Sequence, residues 1–378
     1  MRVIATGGGT GGHVYPALSI LSALRERLAG QTGEELGVLY VGSNGGLEEG
    51  IVRRAGLPFR AVAAGAVVGR SPLAVAVNLG RTLAGTFSAW RLIRAQRPQV
   101  VLATGGYVCV PVVLAAWLAR VPSLIFLPDI APGLAVRSLA RFASRIAVSF
   151  AEASRYLPAG KTVVTGYPVR PELFAVERGQ ARRTLGLGED LPVLLVLGGS
   201  RGARSINAAI STALPRLLPV CQVVHVAGQS EELPLRLVAE ALPAEVRARY
   251  RLYAYLHEEL PSALGAADVV VSRAGASVMG EYPAVGVASV LVPYPHAGAH
   301  QRLNAAQLVA KGAAMQIDDE ALGTGALADT VLALLADRPR LDAMRAAAKR
   351  LARPDAGVAI ADLLRQLARG GRPVRSEG

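Results

Sequence analysis

Hydrophobic residues along the chain come in short, nearly unbroken runs. In the first half these are RVIAT (2–6), GVLYVG (37–42), QVVLAT (99–104), PSLIFL (122–127) and RIAVSF (145–150). The stretches between them carry apolar residues at three- and four-residue steps. Short β-branched runs without polar alternation predict strands buried on both faces, joined by helices. KTVVTGYPVRPELF (161–174) adds one last strand to Gly166, Pro168 and Pro171, which is linker chemistry. The rhythm then restarts in PVLLVLGG (192–199), QVVHVAG (222–228), DVVVSRAG (268–275) and ASVLVPYP (288–295). The expected fold is α/β: two doubly wound, Rossmann-like parallel-sheet domains with a hinge near residues 165–172. The expected domains are 1–165, 166–345 and a helical tail at 346–378 whose end, after Arg369, is disordered. Ligands of such units sit beyond the carboxyl ends of the strands, which predicts a cleft site between two facing domains.

Val100 to Ala119 carries no charge and is long enough to span a bilayer. Gly105, Gly106 and Pro111 interrupt it, so a strand, a glycine turn and a helix are expected there. Aromatic residues are 5% and hydrophobic residues 52% of the chain, so the cores are expected to be aliphatic. The 41 basic residues exceed the 28 acidic ones, and only Lys161, Lys311 and Lys349 are lysines. This balance fits either an arginine-rich coding bias or an anionic partner. No run of like charges or aromatic-interleaved basic stripe suggests nucleic acid. Cys109 and Cys221 lack metal-ligand spacing, and the chain opens straight into a strand-like run. Those features predict a reducing compartment, no signal peptide and no transmembrane helix.

Glycine loops carry the first functional signal. In ATGGGTGGHVYPAL a strand ends at Thr6 and a helix begins near His13. Glycines there let a ligand approach the backbone, and the helix offers free N–H groups and the positive end of its dipole. TGGYVCVP (104–111) and GGSRGARSIN (198–207) repeat the arrangement. The spacing gives neither a P-loop nor a dinucleotide fingerprint followed by its acid, so a dehydrogenase is disfavoured. SRAGASVMGEYPAVG (272–286) follows a strand with a small-residue turn and places Glu281 in a helix. A carboxylate repels diphosphate but can accept both hydroxyls of a ribose. In PYPHAGAHQRLNAAQL (293–308), Gln301 and Asn304 share a helix face beside His300 and suit sugar hydroxyls.

GGTGGHVYPAL, GGYV, GYPVR, GGSRGARSIN, SRAGAS…E and HQ..NA stand in the order of the MurG family of N-acetylglucosaminyltransferases, which the chain resembles from about residue 1 to residue 350. The resemblance implies a GT-B fold and inverting transfer of N-acetylglucosamine from UDP-GlcNAc to the muramyl 4-hydroxyl of lipid I, giving lipid II in peptidoglycan synthesis. It places Thr10, Gly11 and Gly12 near donor and acceptor phosphates, with Gly105, Gly106 and Tyr107 of GGYV in the substrate site. Arg170 and Ser200 would bind the donor, and Leu256 would hold uracil through its backbone. Ala276, Ser277, Val278, Met279, Gly280 and Glu281 would bind diphosphate and ribose, and Gln301 the sugar. Where the family reads HEQN-G-I-A-G-L, this chain reads FLPDIAPGL (126–134): Phe126 and Leu127 replace His and Glu, and Asp129 stands for Asn. Val278 stands where the family has Thr, and Pro283 is expected to kink its helix.

Inversion requires a base for the acceptor proton. His13, at the tip of the first glycine loop, is the choice, because imidazole changes charge nearest neutral pH; Asp129 is the rival. No Asp-x-Asp ends a strand, so neither metal nor cofactor is assigned. Leu79, Leu83, Phe87 and Trp90 recur at helical steps among Arg81, Arg91, Arg94 and Arg97, and Trp117 lies close to Arg120. Such a pattern suits either a core-facing helix or an interfacial patch on the anionic inner leaflet. The partners expected are thus UDP-GlcNAc, lipid I and the cytoplasmic face of the membrane, with other wall-synthesis proteins further candidates. Two other readings are a UDP-GlcNAc 2-epimerase or other glycolipid transferase, and a paralogue that binds UDP-GlcNAc without catalysis.

Overall fold

A computed structural model of the chain describes residues 1–31, 33–65, 72–199, 202–295 and 300–370, leaving aside the side chains of 31 and 72–76. The chain divides into two units, Met1–Val169 with Asp355–Gly378, and Arg170–Pro354. The boundary falls within the expected hinge, four residues beyond the 165/166 division. The tail is not a third element. Its first part stays with the second unit, whereas the helix Ala356–Ala368 packs on Gly11–Gln31 of the first unit. Arg27 and Asp362 form an ion pair at 2.7 Å on that contact, and Gly357 lets the two helices approach at Ala23. The end after Arg369, expected to be disordered, lies outside the described residues from 371 onward.

In the first unit the strands are β1 (Arg2–Thr6), β2 (Gly37–Ser43), β3 (Phe59–Val62), β4 (Val100–Ala103), β5 (Ser123–Leu127), β6 (Arg145–Val148) and β7 (Thr162–Val164). They form a parallel sheet in the order β3-β2-β1-β4-β5-β6-β7. The second unit has β8 (Val193–Leu197), β9 (Gln222–Val226), β10 (Tyr250–Tyr253), β11 (Val269–Ser272), β12 (Ala288–Leu291) and β13 (Ala314–Gln316). Their order is β10-β9-β8-β11-β12-β13, again parallel. Helices cover the apolar strands. β4, β5, β9, β11 and β12 are buried at every residue, as a sheet sandwiched between helix layers requires.

Both sheets reverse their winding direction at one place, between β1 and β4 and between β8 and β11. Loops leaving neighbouring strands there turn to opposite faces and open a crevice, where doubly wound sheets bind ligands. The glycine-rich loops read from the sequence follow β1, β4 and β8, and the SRAGAS loop follows β11. All four therefore belong to a reversal point.

The charge-free run Val100–Ala119 resolves into β4, a glycine turn and the ten-residue helix Cys109–Leu118, with Pro111 in the first turn, where proline is tolerated. At 1.5 Å per residue, ten residues reach about half of a bilayer core. Among the described residues no helix is long and apolar enough to cross a membrane. Both cysteines are free and buried, and burial pushes the Cys109 thiol up to about 12.

Candidate active site

At the reversal point of the first sheet, the loops after β1 and β4 are zipped together. Gly8 donates its N–H to the Gly105 carbonyl at 3.1 Å, and Thr104 donates to Thr6 at 2.9 Å. The Thr104 hydroxyl bonds the His13 carbonyl at 2.6 Å, and the Tyr40 hydroxyl bonds that of Gly7 at 2.9 Å. Two glycines are obligatory here. A Cβ on Gly105 would lie 2.8 Å from Nε2 of His13, and one on Gly106 would lie 2.4 Å from the Gly8 oxygen. Both residues have left-handed φ values, +118° and +85°.

His13 opens the helix Gly11–Gln31, and its half-buried ring rests against Gly105. Nδ1 is 2.9 Å from the Gly8 carbonyl oxygen. A carbonyl only accepts, so the bond requires a proton on Nδ1; in the neutral ring Nε2 then carries the lone pair. Thr10 and Tyr107 are exposed beside it, and Gly11 and Gly12 are partly accessible.

The departures around FLPDIAPGL have a structural answer. Phe126 and Leu127 are the buried end of β5, and the Phe126 ring meets Tyr167 edge-on at 5.8 Å. They are core residues, where the family's His and Glu are polar. Asp129 is half-buried in the loop after β5, one strand beyond β4.

In the second unit the loop after β8 turns through Gly199 and Gly202, both with left-handed φ, into the helix Arg204–Leu217. Ser200 lies outside the described residues. The SRAGAS loop enters the helix Val278–Val285 with Ala276 and Ser277 partly accessible. Val278, Met279 and Gly280 are buried, so only their backbone can serve a ligand. Val278, in place of the family's Thr, packs into this core. Pro283 lies two residues before the helix ends, and Gly286, with φ 71°, caps it; the helix is short.

Glu281 is half-buried, with Arg170 as a charged neighbour. Burial pushes its carboxyl up to about 7, against the lowering effects of Arg170 and the Ser277 hydroxyl. Leu256 is buried after β10. Gln301 and His300 are partly accessible, and the Gln301 carboxamide oxygen accepts the Tyr294 N–H at 2.9 Å. Asn304 differs from expectation. Its side chain is fully buried and donates to the Ala274 carbonyl at 3.1 Å, supporting the SRAGAS loop from below.

Two sets of residues escaped the sequence reading. Arg273 gathers the second sheet's loops, donating to Ser205, Val292 and Asp319 while lying 5.2 Å from the Tyr294 ring. Glu48, which reads as a solvated helix carboxylate, is wholly buried under the first glycine loop. Its only sequence signal is the small-residue setting of Gly42, Gly45 and Gly46.

On the helix Pro72–Gln96, Leu83 is 65% and Phe87 61% exposed, and Leu79 is exposed with them. Between Val77 and Gln96, Gly85, Ala89 and Ile93 are the buried positions, so Leu79, Leu83 and Phe87 turn away from the core, which Trp90 still touches. Phe87 stacks on the half-buried Trp90, and Arg94 lies 5.6 Å from the Trp90 ring. Trp117 and Leu118, at the end of the next helix, are also exposed.

Two parallel-sheet units with glycine loops at their reversal points define a GT-B fold. Residues 3–148 match the glycosyltransferase family 28 N-terminal domain and residues 193–359 its C-terminal domain. The chain belongs to that family. A relative from Roseiflexus sp. (strain RS-1) is 45% identical over 97% of this chain and 95% of its own length. One from Desulforudis audaxviator (strain MP104C) is 46% identical over 98% of this chain and 100% of its own. Both are named UDP-N-acetylglucosamine--N-acetylmuramyl-(pentapeptide) pyrophosphoryl-undecaprenol N-acetylglucosamine transferase. The crystal structure of Acinetobacter baumannii MurG superposes with a TM-score of 0.73 at 27% identity, over 97% of this chain and 99% of that one. The Neisseria meningitidis UDP-GlcNAc 2-epimerase bound to UDP-GlcNAc gives 0.69 at 12% identity over 97% and 100%, a likeness of fold alone.

Proposed function

We propose that the chain transfers N-acetylglucosamine from UDP-GlcNAc to the muramyl 4-hydroxyl of lipid I, with inversion, to form lipid II. The observation that carries this reading is the His13 ring, held by its Nδ1 on the Gly8 carbonyl at the first reversal point. Nε2 takes the acceptor proton as the hydroxyl oxygen attacks the anomeric carbon; the bond from that carbon to the UDP oxygen breaks and its electron pair leaves with UDP. General-base assistance of this kind contributes about 10²–10⁴ in rate. Thr10, Gly11 and Gly12 serve the acceptor pyrophosphate through backbone N–H groups, in the company of Gly105, Gly106 and Tyr107.

The donor is assigned to the second unit. The loops after β8 and β11 carry its pyrophosphate on helix N-termini, each worth about 0.3–1 kcal/mol toward an anion, with Arg170 adding charge. The ionised Glu281 accepts the ribose hydroxyls, the Leu256 backbone takes uracil, and Gln301 and His300 take the sugar.

Because the acceptor's polyprenyl tail stays in the bilayer, the stripe Leu79, Leu83, Phe87 and Trp90, with Trp117, is read as a peripheral contact with the anionic cytoplasmic leaflet. Its exposure and its arginine neighbours support that reading over a core-facing helix.

Radiolabelled UDP-GlcNAc incubated with a lipid I analogue tests the activity. Labelled lipid II is expected. Conversion of the label to UDP-ManNAc without acceptor would replace this reading with an epimerase, and donor binding without transfer with a non-catalytic paralogue.

A further inference from the structure

The carboxylate of Glu48, on the helix Leu47–Arg54, is fully buried and divides its two oxygens between two neighbours. Oε2 accepts the Gly9 N–H at 3.1 Å; Oε1 accepts the Ser43 N–H at 2.8 Å and the Ser43 hydroxyl. Glycines surround it. A Cβ on Gly8 would meet Oε1 at 2.5 Å, one on Gly46 would meet the carboxyl carbon at 2.4 Å, and one on Gly42 would meet Cγ of the same side chain at 2.8 Å. Burial raises this carboxyl, and the hydrogen bonds from Ser43, Glu48's own N–H and Gly9 outweigh it, leaving the group below its ordinary value. It is therefore a carboxylate at neutral pH.

The Gly9 N–H that Glu48 holds and the Gly8 carbonyl that His13 holds are the two ends of one peptide group. The connection runs from the carboxylate through that peptide plane to Nδ1–H of the imidazole. A charged acceptor on the N–H end polarises the amide and makes its carbonyl a stronger acceptor, as chained hydrogen bonds reinforce one another. It also stops the Gly8–Gly9 plane from rotating, although glycines on both sides would otherwise permit that.

We propose that Glu48 is a positioning residue that acts on His13 through the Gly8–Gly9 peptide, holding the neutral imidazole in the Nδ1–H tautomer with Nε2 open to the acceptor hydroxyl. This deepens the reading of His13 as the base and rests on it for its effect on rate. The arrangement parallels a carboxylate orienting a histidine directly, with a peptide group interposed.

The test uses the full chain labelled with ¹⁵N-histidine, the His13 signal being assigned by its loss in His13→Gln. At pH 8.5 the wild-type ring is expected to show a protonated Nδ1 and a bare Nε2; a protonated Nε2 overturns the proposal without need of a Glu48 variant. Glutamine has one oxygen for the two sides the carboxylate serves. Glu48→Gln is expected to give a mixture of tautomers and to lower kcat about ten- to hundredfold, with KM for UDP-GlcNAc within twofold. Ser43→Ala removes a bond to Oε1 only and is expected to keep the wild-type tautomer and kcat within threefold. A wild-type tautomer in Glu48→Gln, or equal losses in both variants, would reduce Glu48 to packing. A changed tautomer with unchanged turnover supports the peptide connection and removes His13 from the role of base.

Discussion

With Glu281 on the donor ribose as proposed, donor binding should depend on pH. Its carboxyl is raised from 4.5 to about 7, first by burial. Between those values the folded protein binds more protons than the unfolded chain. Stability of the ligand-free protein therefore falls as pH rises through this window, by about 3 kcal/mol in total. The ionised carboxylate accepts both ribose hydroxyls with charge assistance, whereas protonation turns one of its oxygens into a donor, so UDP-GlcNAc favours the deprotonated form. Both donor phosphates are diesters and stay singly charged throughout, so the trend comes from the protein, and the Glu281→Gln variant separates Glu281 from His300, which is proposed to hold the sugar. The dissociation constant should be about tenfold higher at pH 6 than at pH 8, about 1.4 kcal/mol. Titration calorimetry in buffers of different ionisation enthalpy should register about half a proton released per UDP-GlcNAc at pH 7. Glu281→Gln should bind about tenfold more weakly at pH 8, having lost charge-assisted bonds, and show no such trend. A wild-type affinity flat from pH 6 to 8 refutes the assignment of Glu281 to the ribose.

The remaining predictions concern the first unit. His13→Ala should lower kcat by about 10²–10⁴ while UDP-GlcNAc affinity stays within twofold, and Asp129→Asn should leave turnover within a few-fold; the opposite result in steady-state assays moves the base to Asp129. Gly106→Ala sets a methyl 2.4 Å from the Gly8 oxygen at a φ of +85°, so urea denaturation should show a loss of about 2–4 kcal/mol. An unchanged midpoint contradicts that packing. Binding to anionic vesicles should weaken with salt and drop at least tenfold in the Leu83→Glu/Phe87→Glu double variant; equal sedimentation of variant and wild type removes the stripe from membrane contact.

Much of the fold was legible because burial on both faces writes strands as unbroken aliphatic runs. The β1, β4, β8 and β11 segments could be read directly, with the glycine and small-residue loops that follow them; that these loops lie at the reversal points follows from the strand order. The C-terminal division was less legible. The tail is Ala-rich, and contacts made only on folding, among them the Arg27–Asp362 pair and Gly357 against Ala23, return Ala356–Ala368 to the first unit. Within the candidate site, the His13 ring rests against Gly105, a contact that their separate motifs do not specify. Asn304 shows a similar limit: its helical spacing from Gln301 was read correctly, but sharing a face says nothing of depth, and the side chain supports a loop. Glu48 was hidden for a related reason. A carboxylate in LEEGIVRR has the local pattern of a solvated helix, and its burial depends on Ser43, Gly8 and Gly46, which only the folded chain brings around it.

The central claim is that the loops at the second sheet's reversal point hold the donor. A crystal structure with UDP-GlcNAc bound tests it most directly. The pyrophosphate is predicted on the loops following β8 and β11, with both ribose hydroxyls within hydrogen-bond distance of Glu281. Nucleotide density away from these loops, or a ribose turned from Glu281, would contradict the account.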